Sequence, residues 1–451
     1  MSSIDRRFLS GVVVGCVVLI GAAFLYVCGS SGSVEGSARA GSPGQRSRCE
    51  ADFGGLPCYE VESDGRKVRY TRLDGQEESK GGELVDLGGP GVALSSTGQA
   101  LAAIRKASPR ELAVISVEEP WASATVSDGC RSSLSAFYVG VVTPSRSMAR
   151  AADDLIRECG LFGESNDREY RWGWTPPAYS SALDAIASAE QIEFKGVVAV
   201  SFGAVRTLPA WTKPSNSWTI LGSPAPFGLT GAQYLDGRSA GADAVFDRKC
   251  AGCSPKRDRR RAFFDLRQRL AAQPVKVTGR TPPVRAADAD AAVYGTAYLT
   301  TEQQATFLRQ LESPGKAKFE MIGALSDRIL SRFGTLDMAP SFLAYLEEVC
   351  PLYAPWAAVR DRVDLMGRLH APCGQAKLAA QHDRAPKQGS GRLCVANAPA
   401  DGVVPASVRR DWARSFSDLV EIEAGRVHGD VAAVVGCFEQ VPLAKDSSSR
   451  P

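Results

Sequence analysis

Three residues of this 451-residue chain have the types and the chain order needed for nucleophilic chemistry by a serine: Ser201, Asp401 and His428. A serine hydroxyl attacks well when a histidine removes its proton and a carboxylate holds the histidine in the correct tautomer. Ser201 lies in the stretch GVVAVSFGAVRT, where a β-type apolar run precedes the serine and small residues follow it. This pattern is typical of a serine on a sharp turn between a strand and a helix. An ordinary turn is the alternative for this motif alone, since serine is common in turns.

His428 is the best-placed base, because it follows the last strand candidate and a turn in EAGRVHGD. The two other histidines, His370 and His382, lie in the polar end of a helical insertion, which favours solvated surface histidines. Asp401, in ANAPADGVVP, follows the preceding strand candidate by a few residues. The resulting chain order of serine, aspartate and histidine is the order of α/β-hydrolases and differs from that of chymotrypsin and subtilisin.

A glycine-rich stretch supplies a candidate oxyanion hole. DLGGPG, from Asp86 to Gly91, directly follows the strand candidate ELV. Glycines let backbone N–H groups turn towards a developing negative charge. We expect Gly88 to donate one hydrogen bond and the N–H of Phe202 to donate the other. A Gly-Pro turn that only reverses the chain is the alternative.

The elements that must position these residues follow an alternating pattern. Strand and helix candidates alternate from Cys58 up to the stretch SWTILGSPAPFG, which predicts a mostly parallel α/β sheet flanked by helices. Long helical patterns such as TTEQQATFLRQLE then predict a helical cap over 233–388. The hydrolase core would therefore consist of two parts, 49–232 and 389–443, followed by a frayed tail over 444–451.

The amino terminus predicts export. Arg6 and Arg7 precede the apolar run FLSGVVVGCVVLIGAAFLYVC, and about 20 apolar residues suffice to cross a bilayer. We expect a signal anchor over 1–28 and a flexible Gly/Ser-rich linker over 29–48, with the rest of the chain outside the cytoplasm and held at the membrane. Cleavage after the run, which would give a secreted protein, and lipid attachment at Cys16 are the alternatives.

Charge and cysteine content restrict the function classes further. The 53 lysines and arginines nearly balance the 50 acidic residues, so bulk charge predicts no nucleic-acid partner. Ten of the 12 cysteines lie beyond the apolar run, and disulfides are the default expectation outside a cell. CAGC, from Cys250 to Cys253, has the spacing of a metal or redox pair, but its polar context favours a local bridge or a surface loop. The sequence predicts no cofactor and no metal.

Taken together, the motifs resemble those of exported actinobacterial serine peptidases of the prolyl-iminopeptidase and tripeptidyl-aminopeptidase group, within the α/β-hydrolases. The resemblance extends from Tyr59 to Val441. DLGGPG resembles the oxyanion loop of that family, VSFGA its nucleophile elbow, DGVVP its acid loop and GRVHG its histidine loop. Ala199 and Phe202 stand where the family usually has glycine and tyrosine. The loop SVEEPWASATVSDGC also departs from the family, and the resemblance implies that it borders the pocket.

The resemblance implies an α/β-hydrolase fold with a helical cap and an aminopeptidase that releases short amino-terminal fragments from peptides. Position along such a fold favours three disulfides: Cys49–Cys58, Cys130–Cys159 and Cys350–Cys373. Binding a free amino terminus requires buried carboxylates. The candidates are two acidic pairs, each of which is more typical of a solvated surface: Glu118 with Glu119, and Glu347 with Glu348. No amine site is therefore assigned.

Two other functions are compatible with the sequence. The same catalytic machinery serves an esterase or lipase-type α/β-hydrolase, because one triad can attack either an ester or an amide carbonyl. A catalytically silent surface protein whose cap binds a partner is the third possibility. The complete set of Ser201, Asp401 and His428 argues against it.

Overall fold

The structure is a computed structural model, which describes residues 45–74, 81–143, 148–163, 172–210, 217–248, 250–313, 315–332, 337–359, 362–379, 392–399, 401–405 and 418–441. Four features predicted from the sequence lie outside these residues: the signal anchor over 1–28, the linker up to residue 44, His382 and the tail over 444–451. No helix among the described residues combines the length and the apolar character needed to span a membrane.

The core of the described chain is a nine-stranded sheet with the strand order β1-β2-β3-β5-β4-β6-β7-β8-β9. The strands are β1 (Ser47–Arg48), β2 (Tyr59–Ser63), β3 (Arg66–Leu73), β4 (Gly81–Asp86), β5 (Leu112–Val117), β6 (Glu193–Val200), β7 (Trp218–Gly222), β8 (Arg392–Asn397) and β9 (Asp418–Glu423). β1, β2, β3 and β5 pair antiparallel in that order, and every pair from β5 through β9 is parallel. The prediction of a mostly parallel sheet is confirmed.

Alternation along the central strands places apolar side chains on both faces of the sheet. Val197 and Ala199 of β6 belong to one apolar core, whereas Val198 and Val200 belong to a second core on the opposite face. Successive side chains of a strand point to opposite faces, so a strand that is covered on both sides is apolar throughout. The run GVVAV therefore forms a buried central strand that ends directly at Ser201.

Helices cover both faces. α1 (Gly98–Ala107) packs on one face together with the final helix of the chain. On the other face lie α2 (Asp128–Val142), α3 (Met148–Cys159), α4 (Pro176–Glu190) and α5 (Gly203–Ala210). α5 starts two residues after Ser201, so the serine lies between the end of β6 and the first turn of a buried helix.

The described residues between β7 and β8 form mainly helices. These are α6 (Gly231–Asp243), α7 (Lys256–Ala272), α8 (Ala286–Gly295), α9 (Thr301–Glu312), α10 (Ala317–Ile329), α11 (Ser341–Leu352), α12 (Leu365–Leu369) and α13 (Ala371–Gln375). α7 to α10 enclose a small apolar core of their own, which contains Leu270 and Phe307. α11 instead joins the main core through Phe342 and Leu346. The chain returns through β8 and β9 to α14 (Val431–Gln440).

Five disulfides join the ten cysteines of the described chain. Cys49–Cys58, Cys130–Cys159 and Cys350–Cys373 form as predicted. The CAGC motif is a local bridge between Cys250 and Cys253. The fifth disulfide, Cys394–Cys437, joins β8 to α14.

Candidate active site

Ser201 occupies a strained turn between β6 and α5. Its φ of +51° lies in the left-handed region, where residues other than glycine are uncommon, and its N–H donates to the carbonyl of Gly222 at 2.8 Å. A Cβ at Gly203 would lie only 2.5 Å from the backbone oxygen of Asp86, so the helix can approach β4 only with a glycine at this position. The turn is a nucleophile elbow, in which backbone strain exposes the serine hydroxyl.

The structure brings Ser201, His428 and Asp401 together. Nε2 of His428 lies 2.8 Å from Oγ of Ser201, and Nδ1 of the same ring lies 2.8 Å from Oδ2 of Asp401. The side chains of His428 and Asp401 are buried. The three groups thus form a continuous hydrogen-bonded chain, although His428 lies 227 residues after Ser201 in the sequence.

Asp401 is held by its own loop. Its Oδ1 accepts hydrogen bonds from the N–H groups of Val403 and Val404, both at 2.8 Å, which leaves Oδ2 for the histidine. Burial by itself would raise the pKa of Asp401, but His428 and the N–H of Val404 outweigh it and hold the pKa below its usual value. The carboxyl is therefore ionised at neutral pH and fixes the orientation of the imidazole ring.

The prediction that the N–H of Gly88 donates to the oxyanion is wrong. Its N–H donates to Oδ1 of Asp86 at 2.9 Å in a buried site, so this donor already has a charged acceptor. The next residue, Gly89, and Phe202 both line the pocket at Ser201. Neither of their N–H groups donates to an acceptor in the described chain. The N–H groups that can bind an oxyanion are therefore those of Gly89 and Phe202. The N–H of Gly88 is already used by Asp86, so the next N–H along the loop takes its place.

The close contact between the glycine loop and the elbow explains why glycine is needed at residue 88. Gly88 has a φ of +86°, and a Cβ there would lie 2.4 Å from the carbonyl oxygen of Val200. The loop and the nucleophile thus pack backbone against backbone. This contact fixes the loop at a short distance from Ser201.

Arg206 was not predicted from the sequence, yet its buried guanidinium connects four segments around the elbow. Its side chain is only 4% exposed. Nε and Nη2 donate to the two oxygens of Asp86 at 2.9 and 2.8 Å, and Nη2 also donates to the carbonyl of Gly88 at 2.9 Å. Nη1 donates to Glu119 at 2.7 Å and to Glu348 at 3.1 Å. The sequence did contain a signal for this cluster: an arginine stands among the small and apolar residues of FGAVRTLPA. A guanidinium that is buried with such residues requires acidic partners.

This cluster carries more negative than positive groups. Burial raises the pKa of Glu119 and of Glu348, and the guanidinium of Arg206 opposes the rise. One arginine cannot neutralise three buried carboxylates, so we expect at least one of the two glutamates to hold a proton at neutral pH.

The four glutamates considered as ligands of a substrate amine all bind other groups of the protein. Glu119 and Glu348 bind Arg206, and Glu118 forms an ion pair with Arg69. Glu347 accepts from the N–H groups of Trp172 and Gly173, both at 2.8 Å. The expectation of solvated acidic pairs is wrong for Glu118, Glu119 and Glu348, whose side chains are buried.

His370 is buried, which corrects the expectation of a solvated surface histidine. It is 1% exposed, its ring stacks on Trp356, and its Nδ1 lies 2.7 Å from the carbonyl of Met366. Its Nε2 lies 2.8 Å from the hydroxyl of Tyr345. Burial lowers the pKa of His370 to about 4, so the ring is neutral at pH 7. Its neighbours keep it in a structural role under the pocket wall.

The pocket in front of Ser201 is small and aromatic, with a volume of about 70 Å³. Its polar lining consists of hydroxyl groups and one cation, on Tyr234, Arg238, Tyr298, Tyr345 and Tyr353. No carboxylate is present among the lining residues of the described chain. The site therefore presents a nucleophile, two amide donors and a positively charged wall.

The sheet, the elbow and the order of the three residues decide the fold. The fold is that of an α/β-hydrolase. No protein-family model matches the chain, and no curated protein matches it by sequence. The peptidase group that the motifs resemble is therefore not confirmed.

Three solved structures that are similar to this chain are distant from it in sequence. A bromoperoxidase from Bacillus anthracis is 10% identical, with 87% of this chain and 97% of that chain covered and a TM-score of 0.34. An α/β-hydrolase fold protein from Nakamurella multipartita is 15% identical, with 85% and 98% covered and a TM-score of 0.33. A meta-cleavage product hydrolase from Pseudomonas fluorescens IP01 is 13% identical, with 84% and 97% covered and a TM-score of 0.32. Similarity at this level carries no argument about the substrate.

Proposed function

We propose that this protein is a serine hydrolase that cleaves a carboxylic ester or amide through an acyl-enzyme on Ser201. The observation that supports this is the hydrogen-bonded chain from Oγ of Ser201 through His428 to Asp401. The same geometry activates serine on several unrelated folds.

In the first half of the reaction, Oγ of Ser201 attacks the substrate carbonyl while Nε2 of His428 takes its proton. Asp401 stabilises the imidazolium through Nδ1. The tetrahedral oxyanion accepts hydrogen bonds from the N–H groups of Gly89 and Phe202. When it collapses, His428 returns the proton to the departing alcohol or amine, and the acyl group stays on the serine.

In the second half, water enters where the leaving group was. His428 removes a proton from the water, which attacks the acyl carbonyl, and a second tetrahedral oxyanion forms in the same hole. Its collapse releases the acid and returns the proton to Ser201. No group beyond the described residues and water is required for these steps.

The composition of the pocket favours ester substrates over peptides with free amino termini. A substrate ammonium needs a carboxylate acceptor, and the four candidate glutamates bind other protein groups. Arg238 would instead repel the ammonium. The aminopeptidase activity implied by the motifs thus has less support than the esterase alternative.

Export and membrane anchoring belong to the same proposal. The apolar run over 1–28 supports an anchor, and five disulfides support an oxidising compartment. Cell fractionation tests this: the protein should remain with membranes after a high-salt wash and be accessible to protease added outside the cells. Recovery in the cytoplasmic fraction would contradict it.

Side-by-side turnover tests the reaction class. Aryl esters, aminoacyl arylamides with a free amine and the same arylamides with a blocked amine are offered to the protein and to Ser201→Ala. We expect turnover of esters that is lost in the variant. Cleavage of only the free-amine arylamides would instead establish the aminopeptidase, and turnover that persists in Ser201→Ala would overturn the proposal.

A further inference from the structure

The cation in the pocket wall has a different environment from the other buried arginines. Arg238, on α6, is 7% exposed and lines the same cavity as Ser201. Its Nη1 lies 3.5 Å from the carbonyl of Val403, at the long limit of a hydrogen bond, and its Nε has no hydrogen-bond partner. Its other polar neighbours among the described residues are tyrosine hydroxyls: it donates a hydrogen bond to Tyr298 and lies near Tyr234 and Tyr345.

No carboxylate in the described chain neutralises Arg238. The two acidic residues on its own helix are used elsewhere: Asp236 pairs with Arg362 at 2.7 Å and Asp243 pairs with Arg260 at 3.0 Å. An arginine side chain remains protonated at any ordinary pH. Among the described residues this buried positive charge therefore has no counter-ion, which is costly unless a ligand supplies one.

Other buried arginines show how the chain normally satisfies this group. Arg206 and Arg332 bind carboxylates. Arg259 and Arg368 form no ion pair with a described carboxylate, but each donates to a backbone carbonyl at a short distance, 2.7 and 2.8 Å. Arg238 has neither arrangement, and among these five arginines it alone lines the cavity at Ser201.

Arg238 and the catalytic His428 share a neighbour, Tyr298. Its ring centroid is 5.8 Å from the His428 ring and 5.9 Å from the guanidinium carbon of Arg238. Because Arg238 and Ser201 line the same cavity, a ligand that places its carbonyl at Ser201 can place a second group at Arg238.

The geometry points to a substrate that carries a carboxylate a few bonds from the scissile ester or amide, bound as an ion pair by Arg238. A planar guanidinium binds a carboxylate through two parallel N–H donors, so the pair orients the substrate as well as attracting it. The hydroxyl groups of Tyr234 and Tyr298 border the same space and would surround the carboxylate. This assignment rests on the proposed hydrolase function and deepens it.

Matched pairs of esters test the inference. A mono-aryl glutarate is compared with the neutral aryl pentanoate, and 4-acetoxybenzoate with its methyl ester, so that the anion lies on the acyl side or on the leaving group. The enzyme-free rate is subtracted, because a free carboxylate can attack its own ester. We expect the anionic member of at least one pair to have the higher kcat/KM.

Variants of Arg238 test whether this residue causes the preference for the anionic ester. Arg238→Met should lower kcat/KM for the preferred anionic ester roughly 10- to 100-fold, as expected for loss of a charged hydrogen bond, and leave the neutral ester nearly unchanged. Arg238→Lys, which keeps the charge, should retain part of the preference. Arg259→Met removes an equally buried arginine that does not line the cavity. It should leave kcat/KM unchanged for both the anionic and the neutral ester.

A second experiment measures protection of Ser201 from labelling and needs no ester substrate. Glutarate should slow the labelling of Ser201 by a fluorophosphonate in the natural protein and not in Arg238→Met, whereas the neutral diamide of glutarate should have no effect. The inference is overturned if both proteins show the same protection, or if neutral esters are preferred throughout. If Ser201 is not labelled at all, the hydrolase function itself fails and the inference fails with it.

Discussion

Nη2 of Arg206 donates to the carbonyl oxygen of Gly88 at 2.9 Å, so the helix that begins at the nucleophile also holds the loop that faces it. The same guanidinium binds Asp86, at the start of the loop, and Asp86 in turn accepts the N–H of Gly88. One buried cation therefore determines which backbone amide of the glycine loop remains available to an oxyanion. The result is that Gly89, rather than Gly88, faces the site.

Arg206 should be essential for stability. Arg206→Met would leave three buried carboxyl groups without their cation, and removal of one partner of a buried ion pair costs about 3 to 5 kcal/mol. Urea unfolding measures this loss. Arg206→Lys should lose less, because the charge remains.

Arg260→Met is the matched control for Arg206, since it removes an arginine whose ion pairs with Asp243 and Asp247 are partly exposed. Such pairs contribute about 1 kcal/mol or less. Equal stability of Arg206→Met and the natural protein would show that the cluster does not hold the loop.

Gly89→Ala should damage catalysis more than binding. A Cβ at this residue would lie 2.6 Å from Oε1 of Glu119, and the φ of +133° is unfavourable for alanine, so the amide must move. Loss of one oxyanion donor lowers kcat by about 100- to 1000-fold. We expect a fall of this order in kcat with a small change in KM.

Gly98→Ala on α1 is the control for Gly89, because its nearest neighbour would be 3.8 Å away. It should leave kcat unchanged. An unchanged kcat in Gly89→Ala would return the oxyanion role to another donor.

Glu83 should make the protein less stable as the pH rises. It is fully buried in β4, and burial raises its pKa to about 8 from its usual value of 4.5, against the opposing effects of Ser108 and Arg105. In the unfolded chain the carboxyl ionises near pH 4.5, whereas in the folded chain it stays protonated. The stability that Glu83 contributes is therefore complete below pH 4.5 and is lost between pH 4.5 and about 8.

Glu83→Gln isolates this effect, because glutamine resembles the protonated carboxyl at every pH. The free energy of unfolding of the natural protein should fall, relative to that of the variant, by roughly 3 to 5 kcal/mol across this range. Chemical unfolding at a series of pH values measures the difference. A constant difference would mean that Glu83 is ionised in the folded chain.

The disulfide Cys394–Cys437 should contribute more stability than Cys250–Cys253. The first spans 43 residues and joins β8 to α14, whereas the second spans three residues. A longer closed loop restricts the unfolded chain more, so the double alanine variant at 394 and 437 should lose about 2 to 4 kcal/mol. The double variant at 250 and 253 should lose less. Thermal unfolding compares the two, and peptide mapping without reduction tests all five pairings.

The sequence predicted those parts of the site that depend on chain order and on local turns. The alternating strand and helix patterns place Ser201, Asp401 and His428 after strands β6, β8 and β9, and parallel strands bring their carboxyl ends to one edge of the sheet. This reasoning needs no side-chain detail, so the three residues could be named in advance.

Features that depend on long-range side-chain contacts could not be predicted. The choice between Gly88 and Gly89 depends on a hydrogen bond to Asp86, which no local pattern indicates. The burial of His370 depends on Trp356 and Tyr345 packing around it. Arg238 resembles any other helical arginine in sequence, because the absence of a carboxylate beside it among the described residues is seen only when its neighbours in space are known.

The most direct test of the central claim is the intact mass of the protein after reaction with a fluorophosphonate, measured for the natural chain, Ser201→Ala and His428→Ala. We expect one adduct on the natural chain, none on Ser201→Ala and much slower labelling of His428→Ala, since the histidine activates the serine. The adduct should map to the peptide that contains Ser201. An unlabelled natural chain, or equal labelling of Ser201→Ala, would contradict the assignment of Ser201 as the nucleophile.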